Sequence, residues 1–503
     1  MNRRPPGCRR ATRVALPLLV VLASVAGLPA KKREPTTPGE PTLAALTEGA
    51  ETIDGLLTFY RTEDKLYLRL PAELVGAPLG FAAVRVHAGG DYAMRGGAID
   101  NQLVRWRVVG DRLVLVKENL DFRAEHDPTT ERLLESSFSD SPVFSAPLVR
   151  TNDEPAPLVI DASKLFGPDL AQLLPDDAGY DVRADDAILA SLESFDDNVV
   201  ARVVYRAHRQ AKPAEQAANP FSRFVRPGRL PDARAAEITV DYNFYRLEDD
   251  GFRPRAADER IGGMTLSYKD YSDVDNADTL FRHVLRRFDL RKVDPSAAVS
   301  DPIEPITFYI DRSVPERWRP LVREATLWWN PAFEAVGLRN ALRVLDAPDD
   351  PRWDPADIRH SVIFWNYSDD LVFSGVAGPI FVDPRNGKTI KATVHLNGEF
   401  FSYGLHRYLV YAWWRAPAPG ADATTWQARR DAARALRRAP AACDRAASFS
   451  SQMAFARLVL RSRGVIGADP AEDDRFIREA FRELVAHEVG HALGFPHNWK
   501  ASL

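Results

Sequence analysis

The sequence predicts an α+β protein: a mainly antiparallel β region comes first, followed by a smaller layer of mixed sheet and helices. Three observations predict it. Short apolar runs bounded by turn residues fill positions 55 to 120 and return at 199–205 and 238–244. After Asp301-Pro302 the order changes to one strand, one helix, several strands in quick succession and a terminal helix. The chain has 503 residues, too many for one ordinary core, so two or three domains are expected.

The N-terminus reads as a targeting segment. Arg3, Arg4, Arg9, Arg10 and Arg13 precede an apolar run from Val14 to Leu28 that ends in small residues. Residues 1–30 are therefore expected to be a signal peptide, with cleavage after Ala26, Gly27 or Ala30. Export to the periplasm or the extracellular space follows. The run is short for a membrane span and contains Pro17, so stable membrane insertion is not expected unless the signal stays uncleaved. That rival reading draws on Lys31, Lys32 and Arg33, which place positive charge on the far side as well. Cys8 precedes the apolar run, which argues against a lipid anchor. Once the signal is removed, Cys443 is the one cysteine left of two, so no internal disulfide can form.

Residues 31–50, rich in Pro, Thr and charge, read as a linker. Strands are expected at Leu56 to Tyr60, Leu66 to Leu70 and Phe81 to His87. Leu103 to Val109 and Arg112 to Lys117 flank Gly110-Asp111, a tight hairpin signal. Positions 127–190 read as irregular and turn-rich, and strands return at Val199 to Tyr205 and Ile238 to Phe244. In the latter, Ile238, Val240, Tyr242 and Phe244 alternate with polar neighbours. Residues 51–295 are thus read as a β-rich region of one or two domains. His87, His126, His208 and His283 stand alone there, and surface or core roles suit them better than ligation.

Residues 301–503 form the second part. Ile306 to Ile310 is a strand, followed by a helix whose start shows Ser313 and Glu316 in capping-box spacing. Trp318, Leu321, Val322, Ala325 and Trp328-Trp329 are placed on its buried face, Asn330-Pro331 should interrupt it, and Gly337 suits its end. At helical spacing the two tryptophans fit core better than a ligand platform. Strands follow at Leu342 to Leu345, Ser361 to Tyr367, Val376 to Val382 and Thr389 to Leu396, the last two around Asn386-Gly387. Residues 420–463 are Ala- and Arg-rich and read as helix. The terminal helix is expected from Pro470 to Leu493, with Asp469 as N-cap and Glu472 at the third position.

Composition excludes some functions. Hydrophobic residues make up 45% and charged residues 27%, with a formal net charge of -4 and no basic stripe, so nucleic acid is not an expected partner. The chemistry sits at the C-terminus, in His487-Glu488-Val489-Gly490-His491. Residues four apart share a helix face, so both imidazoles can reach one ion. Gly494 allows a sharp reversal and Pro496 stiffens the return that presents His497. Three imidazoles and one open position make a catalytic rather than a structural zinc composition. With 10 His and 29 Gly, the five-residue pattern of His487, Glu488, His491, Gly494 and His497 should arise by chance about once in 10^5 such chains.

The stretch HEVGHALGFPHN resembles the HExxHxxGxxH motif of the metzincin clan of zinc endopeptidases. The continuation Asn498-Trp499-Lys500-Ala501-Ser502 is similar to a group of large exported bacterial zinc-dependent metalloproteases with β-rich N-terminal domains. Phe308 to Asp311, Trp328-Trp329-Asn330 and Val382-Asp383-Pro384-Arg385 carry the same resemblance. It implies that residues 301–503 hold the N-terminal subdomain of a metzincin-like catalytic domain, a mixed sheet plus the active-site helix. It implies zinc on His487, His491 and His497, with Glu488 as the catalytic base. Substrate, a protein or peptide, would lie extended along the edge strand at Val376, Ala377, Gly378, Ile380 and Phe381, with Pro379 fitting an edge position. His395 next to it suits core packing better than a role beside the metal.

The resemblance also implies a methionine turn beyond the third ligand. The four methionines all precede the motif and the sequence ends six residues after His497, so a truncated catalytic domain is expected. The expected function is therefore zinc-dependent peptide hydrolysis by an incomplete chain. The alternative is a non-catalytic exported binding protein with a vestigial zinc site.

Overall fold

A computed structural model of the protein describes residues 39–88, 96–124, 128–174, 180–208, 232, 234–258, 260–272, 279–367, 375–398, 456, 459–465 and 470–497. The expected signal peptide, most of the 420–463 stretch, Cys443, His126, Asp469 and Asn498 to Ser502 lie outside these residues.

Four layers stack. The first is an antiparallel sheet in the order β1 (Glu51–Ile53), β2 (Thr58–Arg61), β3 (Leu66–Leu70) and β9 (Leu158–Asp161). The second is an eight-stranded sheet. Its path runs β10 (Asp181–Val182), β12 (Asn198–His208), β13 (Ala235–Arg246), β4 (Leu79–Ala88), β5 (Ala98–Val109), β6 (Arg112–Lys117) and β8 (Ser141–Pro147), with β11 (Ile188–Ser194) also on β12. A small sheet of β15 (Phe281–Leu285), β14 (Thr265–Asp270) and β7 (Phe122–Arg123) lies to one side. The third layer is a five-stranded mixed sheet in the order β17 (Leu342–Asp346), β16 (Ile306–Ile310), β18 (Ser361–Asn366), β20 (Thr389–Asn397) and β19 (Gly375–Val382). Four of its strands are parallel, and β19 is antiparallel at the edge. Helices α3 (Arg319–Leu327), α4 (Asn330–Ala335) and α5 (Pro470–Ala492) belong to the fourth layer; α1 (Leu43–Leu46) and α2 (Pro128–Ser137) lie in the N-terminal half.

The period of two explains the stacking. Ile238, Val240, Tyr242 and Phe244 of β13 enter the core between the first two sheets, alongside Phe59, Leu68, Phe81 and Trp106. Their polar neighbours Asp241 and Asn243 are also fully buried, because the other face of the same sheet packs on the five-stranded sheet. Ala82, Val84, Leu103 and Tyr245 there meet Ala356, Ile358 and Phe381. Alternation along β13 therefore marks two buried faces, one apolar and one mixed.

That mixed face is hydrogen-bonded across the join. Ile358 N–H donates to Asn243 Oδ1 at 3.0 Å, and Asn198 Nδ2 donates to Asp357 Oδ1 at 3.0 Å. Arg202 forks Asp241 at 2.8 and 2.7 Å and also pairs with Asp354. Burial and the nearby Asp354 carboxylate raise the Asp241 carboxyl to about 7. Lys391, fully buried, donates through Nζ to the carbonyls of Pro355 at 2.7 Å and Asp357 at 2.8 Å, and burial lowers it to about 8. At the far end, Arg123 donates to the carbonyls of Arg385 (2.7 Å) and Pro384 (2.8 Å), clasping the β19–β20 hairpin.

Three expectations are corrected. The stretch 127–190 holds α2, β8, β9, β10 and β11; β8 is a sheet edge where Pro142 and Pro147 are tolerated and strand composition looks turn-like, while β9 is a four-residue strand, Leu158–Asp161, too short to stand out among its Pro- and Asp-rich flanks. The Ser313–Glu316 capping box is not formed. Ser313 Oγ instead accepts the Trp365 N–H of β18 at 3.1 Å, and the helix starts at Arg319 with Trp318 before it and no side-chain cap. Trp328 is 50% exposed rather than buried. The interruption at Asn330-Pro331 is present, since Asn330 opens α4, and Gly337 follows that helix with φ of 85°.

Candidate metal centre

Helix α5 lies over β19 and β20 because one stripe of it is apolar. Ile477, Phe481, Leu484, Val485, Val489 and Ala492 are buried against the five-stranded sheet and against Trp318 and Leu321 of the neighbouring helical segment. Each of these side chains larger than alanine contributes about 1.5–3 kcal/mol by leaving water. Glu488 falls within the stripe and is fully buried. Its Oε2 accepts the Ala377 N–H at 2.7 Å, so the edge strand holds the carboxylate in place.

His487 and His491 flank that stripe one turn apart. The helix ends in a Schellman turn: Gly494 N–H donates to His491 O at 2.9 Å and Phe495 N–H to Gly490 O at 3.1 Å. Gly494 has φ of 99°, open to glycine at little strain. The reversal brings His497 back beside the helix. The three Nε2 atoms form an equilateral triangle with sides of 3.1 Å.

Such a triangle is not a hydrogen-bond arrangement. A neutral imidazole has one N–H, and His491 spends its own on the Phe495 carbonyl, which Nδ1 reaches at 2.6 Å. Its Nε2 therefore presents a lone pair to the centre of the triangle. Nitrogen donors at about 2.0–2.1 Å around tetrahedral zinc stand about 3.3 Å apart, close to the observed spacing. The donor set fits zinc. Exposure rises around the triangle, from His491 at 9% to the exposed His497, so the centre opens to solvent on the loop side.

A second tier holds the helix. Trp329 Nε1–H donates to the Ala486 carbonyl at 2.9 Å, and its indole stacks on Phe495 with centroids 5.2 Å apart. Gly490 makes room for it: a Cβ there would lie 2.5 Å from the indole. Asn330, next in sequence, exchanges two hydrogen bonds with Leu342 of β17 at 2.9 and 3.1 Å. Trp329 was the residue that sequence reasoning missed in this role. The signal was a glycine inside a helix, which costs about 1 kcal/mol and needs a packing reason.

The remaining sequence-derived residues divide. Ala377 meets Glu488, as described, and Ile380 packs toward α5. Val376 pairs with His395 across the ladder, while Gly378 sits where the β19–β20 register shifts. Phe381 turns into the core shared with the eight-stranded sheet, away from the triad. His395 is buried, stacks on Phe364 and contacts Asn366 Nδ2 at 2.9 Å through Nδ1; burial, with Lys391 nearby, lowers it to about 3. It is a neutral core residue. His87, His208 and His283 are exposed.

These features define a class: an open three-histidine centre of the metalloprotease type, with a carboxylate next to the first ligand. Comparison with known families agrees over the same segment. The profile of a family described as Met-zincin matches residues 469–503, and a domain of unknown function (DUF5117) matches residues 96–293. No curated protein and no solved structure matches the chain.

Proposed function

We propose that the protein is a zinc-dependent endopeptidase. The observation that carries this reading is the convergence of three Nε2 atoms at 3.1 Å beside a buried glutamate on the same helix turn. His487, His491 and His497 hold the ion and Glu488 is the general base. An ion held there would supply Lewis-acid chemistry, polarising the scissile carbonyl and acidifying a water. Glu488 takes the proton from the attacking water and delivers it to the leaving amine. The Ala377 N–H keeps that carboxylate aimed while it exchanges the proton.

The proposed substrate is a protein or peptide, extended along β19 at Val376, Ala377, Gly378 and Ile380, with Phe381, buried in the core beyond, left out of the contact. Pairing favours the Gly375 end of the strand, because Asn101 Nδ2 already donates to the Val382 carbonyl at the other end at 2.9 Å. Among the described residues no helix is long and apolar enough to cross a membrane. Export to the periplasm or extracellular space is part of the proposal and is supported by the Arg-then-apolar pattern of residues 1–30.

Glu488→Gln is the test. The variant should keep its zinc, since Glu488 is not a ligand, while casein or peptide cleavage falls by about 10²-fold or more. Cleavage at the wild-type rate would refute the general-base role. Zinc-loaded wild-type protein that cleaves nothing would favour a non-catalytic binding protein instead.

A further inference from the structure

The loop that presents His497 is held from two sides. On the helix side, His491 Nδ1–H fixes the Phe495 carbonyl at 2.6 Å. On the other side lies a segment more than two hundred residues earlier in the chain. Met264 N–H donates to the Gly494 carbonyl at 3.1 Å. The Met264 carbonyl in turn accepts the Arg286 N–H at 2.8 Å, extending the β14–β15 ladder by one step. Arg286 Nε donates to the Thr265 carbonyl at 2.9 Å across the same pair of strands. Contacts are close throughout: a Cβ on Gly494 would come within 2.7 Å of the Arg286 carbonyl, and one on Gly262 within 3.5 Å of the Pro496 ring.

We infer that the β14–β15 hairpin is part of the scaffold of the metal centre, with the Met264 N–H positioning the loop that carries His497. This rests on the zinc reading above and deepens it. Only Phe495 and Pro496 separate the clamped Gly494 from His497, and Pro496 has a restricted φ, so a shift at Gly494 passes directly to the third imidazole. His487 and His491 ride on the rigid helix and need no such support. Met264 and Arg286 both lie within the 96–293 match, so a domain otherwise without assigned function supplies a positioning element for the metal site. Met264 acts through its backbone, as a positioning residue rather than a ligand.

Zinc affinity of the full chain, measured by competition with a chromophoric chelator, tests this, with the visible spectrum of the cobalt(II) form as a second readout. Met264→Pro removes the N–H and should weaken zinc binding by about 10- to 100-fold, the range for loss of a partner behind a ligand. Its cobalt bands should shift as His497 loosens. Met264→Ala keeps the N–H and should match the wild type in both. Wild-type affinity and spectrum in folded Met264→Pro overturn the clamp alone; wild-type protein that takes up no zinc overturns the metal site itself. Should Met264→Pro fail to fold, hydrogen exchange at the Met264 amide of the wild type decides. Zinc is expected to slow that exchange, because coupling between two sites is reciprocal. Exchange unaffected by zinc overturns the inference.

Discussion

Single residues here are set by burial as much as by sequence neighbours. His395 shows it most simply. It lies in β20 beside the edge strand β19, yet it is enclosed, stacked on Phe364 and held neutral, with its imidazole lowered from 6.5 to about 3. Between those two values the unfolded chain binds a proton at His395 that the native protein does not. Stability therefore rises with pH across that window and falls on acidification, by about 1.4 kcal/mol per pH unit from this group. Urea unfolding of wild type and His395→Gln between pH 4 and 6 checks it. The variant should lose that part of the slope; identical slopes would contradict the buried neutral imidazole. The metal-site residues were legible from sequence because i, i+4 spacing and a glycine reversal are local geometry. The hydrogen bond from Ala377 to Glu488 spans 111 residues and left no local trace.

At the scale of elements, helix α5 is held in place by Trp329 as well as by its apolar stripe. Gly490→Ala is informative because two effects oppose. Alanine raises helix propensity by about 1 kcal/mol. Its Cβ would stand 2.5 Å from the indole, and such overpacking costs about 1–3 kcal/mol and displaces Trp329 from the Ala486 carbonyl. Net destabilisation is expected in chemical denaturation, and a variant as stable as wild type would contradict the close approach. All five strands of the mixed sheet were readable, but by two signals: Ser361–Asn366 is a run buried on both faces, whereas Ile306–Ile310 and Leu342–Asp346 alternate apolar buried positions with more exposed ones. The edge strand β8 was not, since edges accept proline and polar residues, and β9 was not, since it is only four residues long. The capping-box pattern at Ser313 misled because a strand amide, Trp365 N–H, took the hydroxyl first.

Across the whole molecule, the β-rich half and the site-bearing half share a buried polar join. Asn198, Asn243, Asp241 and Lys391 are each fully buried there, and each meets a partner across the join or along it. Alternation in β13 was visible in sequence; that its polar positions face a second sheet rather than water was not, because a period of two marks faces without saying what covers them. Buried groups of this kind cost about 1–3 kcal/mol when stripped of a partner, so the two halves depend on each other's backbone. The β14–β15 hairpin extends that dependence to the loop of His497, which ties the metal site to the architecture around it.

Metal content of the purified wild-type protein at neutral pH tests the central claim most directly. One zinc per chain is expected, with the stoichiometry lost when His487 and His491 are both replaced by alanine. Protein that stays metal-free in the presence of zinc, or that holds one zinc without those two imidazoles, would contradict it.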